Sequence, residues 1–250
     1  MDRTGNGHAC IHASRRGFLK LSGALTAWGM LGAGTLSSVA AADALTRAQR
    51  DAMTPEDVLA AMKEGNERFR KGLRKETRSF LAQQRASAKG QYPAAVLLTC
   101  IDSRAPAETI MDFGIGDIFN CRVAGNVSND DILGSMEFAC KLAGAKVVLV
   151  MGHTACGAIK GAIDNAELGN LTGLLARIKP AVSETVYTGE RTAKNYDFVD
   201  AVAHKNVELT IASIRQRSSV LAEMEKTHAI VITGAMYKLE TGAVDFFPLK

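Results

Sequence analysis

Two apolar runs, Ala94-Ala95-Val96-Leu97-Leu98 and Val147-Val148-Leu149-Val150-Met151, are each too short for a helix and carry no polar position. Short runs of this kind predict strands buried on both faces. Around them, apolar positions recur at helical spacing. Thr54-Pro55-Glu56-Asp57 supplies an N-cap, a proline at the first helical position and acids in the first turn, and Val58, Leu59, Met62 and Phe69 follow. The pattern predicts further helices over Phe80 to Lys89, Asp130 to Leu142, from about Ala155, Leu174 to Val186 and Asp197 to Arg217. It predicts other strands at Asp117 to Val123, Ala229 to Thr233 and Ala243 to Phe247, the last after a turn-rich stretch from Gly234 to Gly242. Strands alternating with helices define an α/β fold with a mostly parallel central sheet flanked by helices. The helices before residue 90 precede the first core strand. Their place is the outside of the sheet or a partner subunit.

The first 42 residues read as an address and are set apart from the fold. Ser14-Arg15-Arg16-Gly17-Phe18-Leu19-Lys20 resembles a twin-arginine export signal, and no charged residue follows from Leu21 to Ala42. Ser38-Val39-Ala40 and Ala40-Ala41-Ala42 are both small-residue cleavage sites, placing the cut between about Ala40 and Ala42. The alternative is a transmembrane anchor, which the length nearly allows. The expected organisation is a removed signal over 1–42 and a single domain over 43–250, exported folded by the twin-arginine translocase to the periplasm.

That division changes the reading of charge. Arg3, Arg15, Arg16 and Lys20 against Asp2 give the leader +3 of the formal +4, leaving +1 for the rest. Such a body gives no reason to invoke nucleic acid. The basic stretch Arg68 to Arg78 reads as a solvated segment. The division also leaves Cys100, Cys121, Cys140, Cys156, His153, His204 and His228 as the thiols and imidazoles of the domain.

Cys100 and His153 each follow one of the two buried runs, and Cys156 stands three residues beyond His153. The carboxyl edge of an open α/β sheet is where ligands bind. Two Cys and one His are the three-ligand set of a zinc that keeps a fourth position open. The bland alternatives are small buried residues or a disulfide between Cys100 and Cys156. Those leave His153 and the charged Asp102 and Arg104 unexplained at a strand end. Cys121 and Cys140 are expected in the core, and His204 and His228 in structural roles.

Cys100-x-Asp102-Ser103-Arg104 with Gly152-His153-x-x-Cys156-Gly157 resembles the β-class carbonic anhydrases. The likeness extends through Gly116-Asp117-Ile118-Phe119, Arg122-Val123-Ala124-Gly125-Asn126 and Tyr237 to Val244, so it covers Pro55 to Phe247. It implies one zinc per subunit on Cys100, His153 and Cys156, and reversible hydration of carbon dioxide to bicarbonate by zinc-bound hydroxide. It implies a homodimer or larger homo-oligomer. It also implies a closed state in which Asp102 becomes the fourth zinc ligand and Arg104 is released. A bicarbonate-sensitive member would use a tryptophan pocket, whereas the domain has no Trp and carries Phe69 in its N-terminal helix.

Charge explains the chemistry. Two thiolates make the zinc formally neutral, so water bound there is expected to be less acidic than the value of about 7 seen with three histidines. Asp102 is the acceptor that aims the nucleophile at carbon dioxide, and Arg104 holds Asp102 through a bidentate pair. Asp102 and Arg104 could otherwise be an ordinary surface ion pair. Two alternatives share the ligand set: a hydrolase of carbonyl sulfide or carbon disulfide, which the resemblance also implies because related enzymes use the same zinc site, and a zinc-binding or thiol-redox protein without catalysis.

Overall fold

The computed structural model describes residues 44–75 and 79–249. The expected export signal, with Arg15 and Arg16, lies outside them. Every element below belongs to the unit Ala40–Lys250.

Five strands, β1 (Ala95–Thr99), β2 (Ile118–Arg122), β3 (Val147–His153), β4 (Val231–Tyr237) and β5 (Val244–Phe246), form one sheet in the order β2-β1-β3-β4-β5. The first four run parallel, and β5 closes the edge antiparallel to β4. All residues of β1 and β3 are buried, which is why both read as unbroken apolar runs. Alternate side chains feed two cores. Val96, Leu98, Val148 and Val150 face one, and Ala95, Leu97, Leu149 and Met151 face the other.

The first core is covered chiefly by α5 (Asp130–Glu137), α6 (Gly157–Ile163) and α9 (Tyr196–Arg217). Helix α9 buries Phe198, Val199, Val202, Val207, Ile211 and Ile214 at helical spacing. It approaches the sheet closely because Gly152 and Gly234 make room for Val207. A Cβ at either glycine would lie 2.8 or 2.7 Å from a Val207 methyl. The second core is covered by α2 (Pro55–Arg70), which lays Val58, Leu59 and Met62 on the chain's own sheet, and by α4 (Ala107–Ile110). Of the two seats open to the N-terminal helices, α2 takes the outside of the sheet. Its N-terminus is a full capping box between Thr54 and Asp57. The shorter α1 (Arg47–Ala52) and α3 (Phe80–Ser87) flank it in sequence.

The structure departs from the sequence expectations in several places. Strand β4 continues through Gly234 to Tyr237, where a turn was expected, because Gly234 serves the close approach of Val207 rather than a bend. The helix expected from Leu174 to Val186 is two short ones, α7 (Gly169–Ala176) and α8 (Lys179–Glu184), with Pro180 at the start of the second. The helix expected to run to Leu142 ends at Glu137 and continues as a π-helical turn over Phe138–Leu142. An additional helix, α10 (Ser219–Lys226), begins at Ser218, which ends α9 and caps α10 through its hydroxyl. The basic stretch is not simply solvated. Arg68 Nε lies 2.6 Å and Arg74 Nε 3.6 Å from the buried Asp112 carboxylate.

Candidate metal centre

Cys100 follows β1 directly, His153 is the last residue of β3, and Cys156 is the N-cap of α6. Because β1 and β3 are paired with Thr99 opposite Met151, the two strands deliver Cys100 and His153 to the same edge of the sheet. All three side chains are buried. The Sγ, Sγ and imidazole donors lie within 4.8 Å of one another, and among the described residues they are the group that could hold a metal ion. The two sulfurs are 3.9 Å apart and both cysteines are free, so the disulfide alternative fails.

The donors fit a zinc ion on two observations. His153 Nδ1 lies 2.9 Å from the Thr154 carbonyl, which makes Nδ1 the protonated nitrogen and turns the Nε2 lone pair inward. That buried Nε2 has no hydrogen-bond partner among the described residues. Beside it stand two thiols, the ligand type that zinc prefers together with imidazole. The thiols are electrostatically unequal. The contact from Cys156 draws Cys100 well below the ordinary thiol value against its burial, with help from His153 and the Gly125 N–H. The same contact, with burial, holds Cys156 up. Burial pulls His153 down, but the contact with Cys100 and the nearby Thr154 carbonyl and Asp102 leave it raised.

Asp102 and Arg104 form the expected pair. Arg104 Nε donates to Asp102 Oδ1 at 2.9 Å and Nη2 to Oδ2 at 2.7 Å, and the Arg104 backbone N–H adds a third bond to Oδ1 at 2.9 Å. These hydrogen bonds hold the Asp102 carboxyl far below the usual carboxylate range despite partial burial. Its Oδ2 lies 3.8 Å from His153 Nε2, so the carboxylate borders the metal pocket while the guanidinium keeps it.

Four supporting residues, Arg122, Gly125, Asn206 and Asp200, had no assigned role in the sequence reading. Arg122, at the end of β2, donates from Nε to the Cys100 carbonyl at 3.0 Å and from Nη2 to the Asp102 carbonyl at 2.6 Å. Gly125 N–H donates to Cys100 Sγ at 3.3 Å, and its own carbonyl accepts from Asn206 Nδ2 at 2.7 Å. Asp200 accepts the Ala155 N–H at 2.7 Å. Asn206 carries a readable signal, a polar residue on the buried stripe of α9 beside Val202 and Val207. The remaining thiols and imidazoles lie elsewhere. Cys140 is in the first core and Cys121 packs half-buried against it. His204 stacks on Phe247, and His228 sits in the turn before β4 with a positive φ.

An open α/β sheet carrying a buried Cys-His-Cys triad at its carboxyl edge defines a metal-dependent α/β enzyme. The comparisons specify it. Residues 95–244 match the carbonic anhydrase family. The chain is 36% identical over 183 residues to carbonic anhydrase 2 of Mycobacterium tuberculosis, covering 73% of this chain and 87% of that protein. It is 31% identical over 186 residues to the carbonic anhydrase of Mycolicibacterium smegmatis, covering 74% and 89%. The crystal structure of the β-carbonic anhydrase CafA of Aspergillus fumigatus superposes with a TM-score of 0.59 at 26% identity, over 77% of this chain and 89% of that one. The chain belongs to the carbonic anhydrase family, in its β class, and zinc is the metal its donors fit.

Proposed function

We propose that the protein catalyses the reversible hydration of carbon dioxide to bicarbonate and a proton, with one zinc per subunit held by Cys100, His153 and Cys156. The observation that carries this reading is the buried triad with a carboxylate held at its border. When bound, zinc supplies the Lewis acidity that makes a water nucleophilic near neutral pH. The protein's part is charge and orientation. The two thiolates offset the metal's charge, and the Nδ1 bond of His153 fixes which nitrogen faces it. Asp102, kept ionised by Arg104, accepts a hydrogen bond from the attacking water and points its lone pair at the carbon. Arg122 fixes the backbone on which Asp102 rides.

The proposal includes the address. Residues 1–42 are read as a twin-arginine signal, cut between about Ala40 and Ala42, that takes the domain over 43–250 folded into the periplasm. A thiolate site filled with zinc before export has no free thiols to pair during transit, which agrees with that route. The proposal also includes a homodimer or larger homo-oligomer, supported by the exposed Leu73, Phe80 and Leu81 around the N-terminal helices.

Stopped-flow carbon dioxide hydration between pH 6.5 and 9, with zinc analysis, on protein lacking residues 1–42 tests the activity. The expected result is one zinc per chain and a rate rising with pH. Asp102→Asn should keep the zinc and lose about 100-fold or more in rate. Zinc-replete wild type without hydration at pH 9 would overturn the reading, and carbonyl sulfide and carbon disulfide would be the next substrates assayed.

A further inference from the structure

The turn that carries two of the three metal donors contains a backbone conformation its sequence does not favour. Ala155, between His153 and Cys156, has φ +53°. This left-handed region is adopted readily by glycine and, with side-chain help, by Asn or Asp, but seldom by alanine. Such a residue persists only where its surroundings hold it. Two neighbouring elements do so. At Thr154 the backbone N–H donates to the Tyr237 carbonyl at 3.0 Å and the hydroxyl accepts the Leu239 N–H at 3.0 Å, tying the turn to the end of β4. At Ala155 itself the N–H is held by Asp200 Oδ1 at 2.7 Å.

Asp200 comes from α9, 45 residues away in sequence. It lies in the first turns of the helix, next to the buried Phe198 and Val199, which seat that end of α9 on the core. The carboxylate therefore stands on a rigid support, and its short bond to a neutral N–H is charge-assisted. Without that acceptor the Ala155 N–H loses its partner, and the alanine is free to return to a right-handed or extended conformation. Either move rotates the chain immediately before Cys156 and carries its sulfur away from Cys100.

We infer that Asp200 is a positioning residue for the metal centre: by accepting the Ala155 N–H it locks the strained turn that holds His153 and Cys156 at ligand spacing. The inference rests on the reading of Cys100, His153 and Cys156 as the zinc ligands. The bond that Asp200 makes to this turn is to a backbone N–H and not to a donor atom, although its carboxylate also feels the charge of His153. The Ala155→Gly rescue separates the backbone effect from that charge effect, because it changes only the cost of the positive φ.

The test is the rate at which zinc-loaded protein releases its metal to excess 4-(2-pyridylazo)resorcinol, with circular dichroism to establish folding and the absorbance of the cobalt-loaded protein to report the thiolate geometry. Asp200→Ala is expected to release zinc about tenfold faster than wild type and to alter the sulfur-to-cobalt band. Asp200→Asn keeps an acceptor oxygen and should stay within about threefold of wild type. Ala155→Gly in the Asp200→Ala background removes the penalty for positive φ and should recover most of the loss. Equal release from Asp200→Ala and wild type would overturn the inference, as would an unrecovered loss in the double variant. If Asp200→Ala does not accumulate folded, Ala155→Gly with and without Asp200→Ala gives the same comparison. A tenfold gap between those two would overturn the inference. Failure of wild type itself to hold zinc would instead overturn the ligand assignment, so the two failures are distinct.

Discussion

Arg122 and Asp102 are joined through the backbone: the guanidinium of Arg122 donates to the Asp102 carbonyl at 2.6 Å while its Nε donates to the Cys100 carbonyl at 3.0 Å. One side chain on an edge strand thus clamps both ends of a three-residue segment holding a metal donor and the orienting carboxylate. Arg122→Ala should lower kcat/KM for carbon dioxide hydration about 10- to 100-fold with zinc content close to wild type. Arg122→Lys, with no fork to span both carbonyls, should fall between. Stopped-flow rates paired with metal analysis check both, and unchanged kcat/KM in Arg122→Ala would sink the clamp.

Metal removal should cost stability, because zinc binds the folded triad more tightly than the unfolded chain. At free zinc about 1,000-fold over Kd the linkage is worth about 4 kcal/mol. Thermal melts of wild type should therefore rise with added zinc and fall after exhaustive chelation. Cys156→Ser should lose most of this increment, and Cys121→Ser, which alters a thiol outside the triad, should keep it. An undiminished zinc increment in Cys156→Ser would remove Cys156 from the ligand set.

Cys140 makes a prediction about alkaline pH. Burial pushes its thiol up to about 12 from an ordinary value of 9.0. The folded-state pKa is raised, so its contribution to stability is fully present below about 9 and is lost as pH rises toward about 12. Cys140→Ala removes that contribution along with some packing. The stability gap between wild type and Cys140→Ala, measured by urea unfolding, should shrink between pH 8.5 and 10.5. A gap constant over that interval would mean that Cys140 ionises as easily folded as unfolded.

The parts of this centre that were legible in the sequence are those whose chemistry is local. Cys100, Asp102 and Arg104 lie within five residues, and His153 and Cys156 within four, each group at the carboxyl end of a strand buried on both faces. What the supports bind was not legible, even for Asn206, whose place on a buried helix stripe is itself a signal, and the reason is common to all. Arg122 binds the carbonyls of residues 100 and 102, Asn206 the carbonyl of Gly125, and Asp200 the N–H of Ala155. Backbone atoms have no side-chain signature, so a partner chosen for them leaves no pattern at the receiving end. The same reason explains Gly234. A glycine reads as a turn until Val207, from a helix packed across the sheet, shows that the position needs an absent side chain rather than a bend.

The pairing of β1 with β3 has a consequence for how molecules can be counted. Adjacent residues in a strand are about 3.3 Å apart, so a slip of two residues, which preserves the faces, would displace His153 from Cys100 by about 7 Å. The donors meet within 4.8 Å only in the final register, Thr99 opposite Met151. Metal occupancy is thus an audit of the central strands: a chain retains its ion only after those strands have found their correct alignment, and bound zinc per polypeptide measures the correctly folded fraction of a preparation.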